Sequence, residues 1–330
     1  MFRSTYEQER DVVLTDDHIS KVWTAIEHNF KPFFDRFVAS CQPPTNPEVL
    51  ARTLGKKFKV KVVGRADHGL AFRSALREAI DGYKSEAAIY RNFFNEDTLQ
   101  EYAEINANEF KRALWKQQNC PIVSKCVRSR HEEMHEWQSK FNARAPRELR
   151  AVFRELYNTA TDFASRTRED RYAKFDSWQK MKLDWFDDDE NLRAEGVVGT
   201  GIKSTVLYHL HANIFPLSDT GAMFALYFLS GKESYGLPSG SNEFIMVNDQ
   251  KADPSMIDRI DRNYWYPYPL FTLYQLRIYR LFESACSKLK ITVDPKYRYV
   301  YCTTLMKHII ETPPESELVE AMRPVRDSVW

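Results

Sequence analysis

Scarcity of glycine constrains this chain most. Eleven glycines among 330 residues, against 21 Phe and 17 Tyr, leave few points where the backbone turns freely and many large side chains to bury. Such a chain is expected to be mainly helical, with few tight turns. The hydrophobic periodicity agrees. Val22, Trp23, Ile26 and Phe30 recur at helical spacing over 17–40, behind Asp16 or Asp17 as N-cap. Phe72, Leu76, Ile80 and Tyr83 mark a helix over 70–90, and 98–118 and 124–141 read as further helices with polar outer faces. Proline suits the first position of a helix, so Ala145-Pro146 opens another, with Leu149, Val152, Phe153, Leu156, Ala160 and Phe163 in one apolar stripe. Arg144, Arg147, Arg150 and Arg154 form a basic set around that helix start. Leu273, Leu276, Tyr279 and Leu281 predict a helix over 270–289, and the acidic stretch Asp184 to Glu190 reads as a solvated loop.

One segment departs from this pattern. Phe58, Val60 and Val62 alternate with Lys57, Lys59 and Lys61, the period of two that marks a short strand with a basic face. The boundary at Ala145-Pro146 then separates an α-rich region, 1–145, that contains this strand, from a helical region, 146–330.

Composition excludes several classes. With 43% apolar and 28% charged residues the chain is globular rather than disordered. No run approaches the ~20 apolar residues of a membrane span, and the first residues are too charged for a secretory segment. Five scattered cysteines, with no CxxC pair, fit a reducing, cytoplasmic setting and favour neither disulfides nor a cysteine zinc site. Forty-seven basic residues nearly cancel 46 acidic ones, so any affinity for nucleic acid must be local.

The densest chemistry lies in EGVVGTGIKSTVLYHLHANIFPLSDTGAMFALYFLSG. Gly196 and Gly201 have the spacing of a phosphate-binding Walker A loop, but Ile202 intervenes before Lys203 and turns the lysine about 100° round the helix. A hairpin between two helices fits better. Gly199 and Gly201 let the backbone turn and bring its amides close to a ligand, and Ile202, Val206, Leu207 and Leu210 give the next helix a buried face. Exposed amides at a helix N-terminus bind phosphate without reading bases.

On VVGTGIKSTVLYHL, then NIFP, then SDTGAMFAL, about residues 190–230, the chain resembles the helix-hairpin-helix DNA glycosylase superfamily. The resemblance implies a helix-hairpin-helix helical core that excises a damaged or modified base from DNA. Asp219 falls at the family's catalytic aspartate, and Lys203 where lyase-type members carry their nucleophile. Gly199, Thr200, Gly201, Lys203 and Ser204 would grip the DNA backbone. No cysteine cluster follows, so the iron–sulfur cluster of some members is not expected, and no cofactor is. The chemistry suits the carboxylate: base excision builds positive charge on the sugar, which a nearby carboxylate stabilises, or that carboxylate deprotonates the attacking water. The base must first leave the duplex and enter a pocket. Phe215, Phe224 and Tyr227 are candidates for its walls, with Arg65 and His68 from the polar cluster RADHGLAFR. Region 1–145 would then recognise the substrate, which includes the case of a modified base in viral DNA.

Each feature also has a plainer reading. Asp219 suits the N-cap of the helix at 220–229, and a lysine near a helix start usually faces solvent or phosphate. The hairpin could hold DNA or a partner without catalysis. His131-Glu132-Glu133-Met134-His135 matches the zinc-hydrolase pattern H-E-x-x-H, but its helix, CVRSRHEEMHEWQSKF, is highly charged and a surface helix is the simpler expectation. His209 and His211, two apart, do not share a helix face. Tyr264 to Pro269, dense in aromatics and prolines, is expected to be buried against the core.

Overall fold

The computed structural model describes residues 5–41, 68–238, 240–245 and 266–322. The chain is mainly helical, and the described residues form no sheet, only two isolated bridges. The expected strand at 57–64, Arg65, and Tyr264-Trp265 lie outside the described residues.

Helix α1 covers Thr5–Val13 and α2 Asp16–Ser40. Thr15, rather than Asp16 or Asp17, caps α2: its Oγ1 accepts from the His18 amide at 3.4 Å. The two aspartates occupy the first turn, where the helix dipole favours them. Helix α3 runs His68–Phe93. The stretch expected as one helix over 98–118 is two, α4 (Glu96–Glu104) and α5 (Ala107–Leu114), because the Asn106 side chain accepts from the Asn108 amide at 2.9 Å and restarts the helix. Likewise 124–141 divides into α6 (Pro121–Arg128) and α7 (Glu133–Ala143). Helix α8 follows at Pro146–Arg166, with Leu149, Val152, Phe153, Leu156 and Ala160 buried as the stripe predicts.

The acidic stretch is not a solvated loop. After the short turns α9 (Glu169–Tyr172) and α10 (Trp178–Met181), it forms α11 (Asp184–Asp188) and a 3-10 turn over Glu190–Leu192. Phe186 and Leu192 drive this, both wholly buried. Then come α12 (Thr200–Leu210), α13 (Thr220–Leu229), α14 (Tyr268–Lys288), α15 (Arg298–Glu311) and α16 (Glu315–Met322).

Helices α12 and α13 are apolar on nearly every face, and such helices are stable only when surrounded. Every residue of α12 from Ile202 to Leu210 is buried, as is every residue of α13 from Ala222 to Leu229. Helix α12 packs against α3, α6 and α8, and α13 against α2 and α15. The helices on both sides of Ala145-Pro146 thus contribute to one hydrophobic cluster. No helix among the described residues is long and apolar enough to cross a membrane.

Candidate functional site

The link from α12 to α13 is held by its carbonyls. Tyr172 donates to the Ile214 carbonyl at 2.6 Å and Tyr268 to that of Pro216 at 2.8 Å, both hydroxyls buried. Arg91 donates to Leu210 O at 3.1 Å, and the Tyr299 amide to Ala212 O at 3.2 Å. Ser204 completes the set from within α12. Its Oγ donates to Ser218 O at 3.0 Å and accepts from Ser218 N at 3.1 Å. Backbone groups that a tight, buried link would leave unpaired are therefore satisfied, and the residue after Ser218 is fixed in place. That residue is Asp219.

Asp219 does two things at once. Its Oδ1 accepts from the Ala222 amide at 2.7 Å, which makes it the N-cap of α13. It also lines a cavity of about 680 Å³. The other walls come from α3 (Glu86, Tyr90), α6 and the loop before it, the start of α12 (Thr200, Gly201), α13 (Met223, Phe224), Phe244-Ile245, and Lys307 of α15. Burial pushes the Asp219 carboxyl above the usual carboxylate range, opposed by the Ala222 amide and by Lys125 on the same cavity.

Of the residues the sequence suggests for this site, Asp219, Thr200, Gly201 and Phe224 line the cavity. Gly199 caps α12 without a side-chain hydrogen bond and is exposed, so the first amides of that helix stay available to a ligand. The tight turn, however, is made elsewhere. Gly196 has φ of +70°, while Gly199 is extended at φ −105° and ψ −170°.

Lys203 and Ser204 are corrections. Lys203 is 3% exposed; its Nζ donates to the Phe186 carbonyl and lies 4.3 Å from the centre of the Phe186 ring. Desolvation lowers its pKa to about 8, against the pull of Asp187, but the amine does not line the cavity. A helix buried on all sides hides this position, which the hairpin pattern alone does not reveal. Ser204 is used up on Ser218.

Phe215 and Tyr227 are corrections too. Phe215 packs on Phe163 and Trp185, and Tyr227 on Phe228, away from the cavity. Of His68 the structure describes only its place at the start of α3. Tyr266 and Tyr268 are buried as expected, Tyr268 stacked at 3.7 Å on Phe186.

His131 lies before the start of α7, so the H-E-x-x-H spacing does not fall on one continuous helix. The described residues hold no group of three or more His, Cys, Asp or Glu arranged to bind a metal. Cys126 lines the cavity, but burial pushes its thiol up to about 11, far from the thiolate a nucleophile requires.

Glu86 and Tyr90, which sequence patterns did not single out, complete the site with His209. Glu86 and His209 meet across 123 positions of sequence, Glu86 Oε2 at 3.2 Å from His209 Nε2. Tyr90 lies flat on His209, ring centres 4.2 Å apart and planes 8° from parallel. No known protein family, curated protein or solved structure matches this chain.

Proposed function

We propose that this protein is a DNA glycosylase-like enzyme that removes a damaged or modified base. One observation carries the reading. A half-buried carboxyl, Asp219, stands on the wall of a cavity that also receives the open N-terminus of α12. About 680 Å³ falls within the roughly 300–1,000 Å³ of small-molecule sites, so an unstacked nucleotide fits in size.

The division of labour follows from the walls. Amides at Thr200 and Gly201 meet a phosphate flanking the extruded nucleotide, with Lys125 and Lys307 adding positive charge beside the same space. Phe224 and Met223 supply apolar surface for the base. As the bond to the base lengthens, positive charge grows on the sugar, and ionised Asp219 stabilises it or takes a proton from the attacking water. A carboxylate whose pKa lies above the usual range is a stronger base than an ordinary one.

The second reading is a hairpin that holds DNA without chemistry. Its support is the bond from Asp219 to the Ala222 amide, since an N-cap alone would account for an aspartate there. A survey for abasic sites separates the two. Duplexes carrying normal, damaged and modified bases are incubated with the protein and scored for cleavable abasic sites. The enzyme reading expects at least one of these duplexes to lose its base; binding with no release from any of them favours the second reading.

A further inference from the structure

Glu86 is an unusually well-oriented carboxylate for a side chain two-thirds open to its surroundings. Its partner is the reason. His209 Nδ1 lies 2.7 Å from the Thr205 carbonyl, and its Nε2 lies 3.2 Å from Glu86. Both ring nitrogens therefore face an acceptor, and a neutral imidazole carries one N–H, which its tautomer gives to one of the two. The ring's tilt is restrained by Tyr90, stacked on it at 4.2 Å and 8°, with Tyr83 near-parallel to it at 6.0 Å and 13°. Tyr83 is tied down in turn, donating to Tyr208 O at 3.2 Å and accepting from Arg91 at 3.2 Å. This stack fixes one carboxylate oxygen and leaves the other free. Both Glu86 and His209 line the cavity that holds Asp219.

We infer that Glu86 is the specificity residue of this cavity and that it selects a nucleobase bearing an exocyclic amino group. The inference rests on the reading of the cavity as a base-receiving site. The His209 hydrogen bond holds the Glu86 carboxyl below the usual range, with Lys307 and Lys125 acting in the same direction, so at neutral pH the group only accepts. Cytosine, adenine and guanine present amino hydrogens on the Watson–Crick edge. Thymine offers one ring N–H between two carbonyl oxygens, and a fixed carboxylate repels both. A fixed acceptor favours the ligand that supplies a donor over one that meets it with a second acceptor. His209 is a positioning residue here: both its nitrogens are occupied, so it has none left for the base.

The test uses duplexes with a single bulged C, A, G or T, which is already unstacked, and reads affinity by fluorescence anisotropy with the full chain. The wild type is expected to bind each amino-bearing bulge at least about tenfold more tightly than the bulged T, in line with a charge-assisted hydrogen bond. Glu86→Gln, whose amide both donates and accepts, should bring the T and amino-bearing affinities to within about threefold of each other. Asp219→Asn should keep the wild-type preference. A wild type without preference, or a Glu86→Gln variant that keeps it, overturns the inference. A general loss of folding would lower all four affinities together and leave the ratios unchanged, and it counts against a selective role. The glycosylase reading fails separately. Glu86-dependent preference without base release from any duplex removes that reading and leaves this one, whereas Asp219-dependent release with no effect of Glu86 does the reverse.

Discussion

At the scale of single residues, burial decides what each charged group can do. Burial pushes the Asp187 carboxyl up to about 6 despite the Tyr268 amide donating to it at 2.8 Å and the charge of Lys203 nearby. A raised carboxyl binds its proton more tightly in the folded state. Its cost is absent below the unfolded pKa and grows as pH rises from about 4 to about 6. Asp187→Asn keeps an acceptor for Tyr268, so thermal melts should show the variant gaining on the wild type as pH rises through that window. A constant difference in Tm across it would show that Asp187 is not desolvated. The same sign governs Asp219 in its proposed role. Base release requires the ionised form, so the acid limb of the pH–rate profile should lie above the ordinary carboxylate range. Position 219 was legible in the sequence because capping and catalysis ask for the same residue at the same place. The hiding of Lys203 was not, because its neighbours Ile202 and Val206 suggested a helix with one buried face when all its faces are covered.

At the scale of elements, α12, its link and α13 act as one device that presents Asp219. Ser204→Ala leaves the Ser218 amide and carbonyl without their buried partner, at a cost of about 1–3 kcal/mol. Its effect on base release should exceed its effect on stability, since the carboxyl loses its register. Denaturant unfolding together with a release assay would show whether the two fall in parallel. The glycines give a sharper contrast. Gly196→Ala forces a side chain into φ of +70°, costing about 1–2 kcal/mol. A Cβ on Gly201 meets nothing within 4 Å, so Gly201→Ala should leave stability unchanged or raise it by up to ~1 kcal/mol. If the α12 amides approach phosphate closely, Gly201→Ala nonetheless weakens DNA binding. Sequence periodicity located α2, α3, α8 and α14 because long apolar stripes outweigh local detail. It merged α4 with α5, where one asparagine side chain restarts the helix, and it misread Asp184 to Glu190, where charge count concealed Phe186.

For the whole molecule, the cavity draws on residues from both sides of Ala145-Pro146: Glu86, Tyr90 and Lys125 from one, Thr200, Asp219 and Lys307 from the other. Such pairings across long stretches of sequence leave no local pattern, which is why the Glu86–His209 contact was invisible beforehand. Helices α2 and α3 also cover apolar faces of α12 to α15. A fragment starting at Pro146 should therefore lack cooperative unfolding, whereas a fragment with a sharp thermal transition would show that the second region carries its own core. The central claim is that the Asp219 carboxylate performs chemistry in this cavity rather than only capping α13. Asparagine preserves the cap, with little change expected in stability. On a duplex from which the wild type releases base, Asp219→Asn should bind with near wild-type affinity and release base at least about 100-fold more slowly. Release at the wild-type rate by this variant would contradict the account.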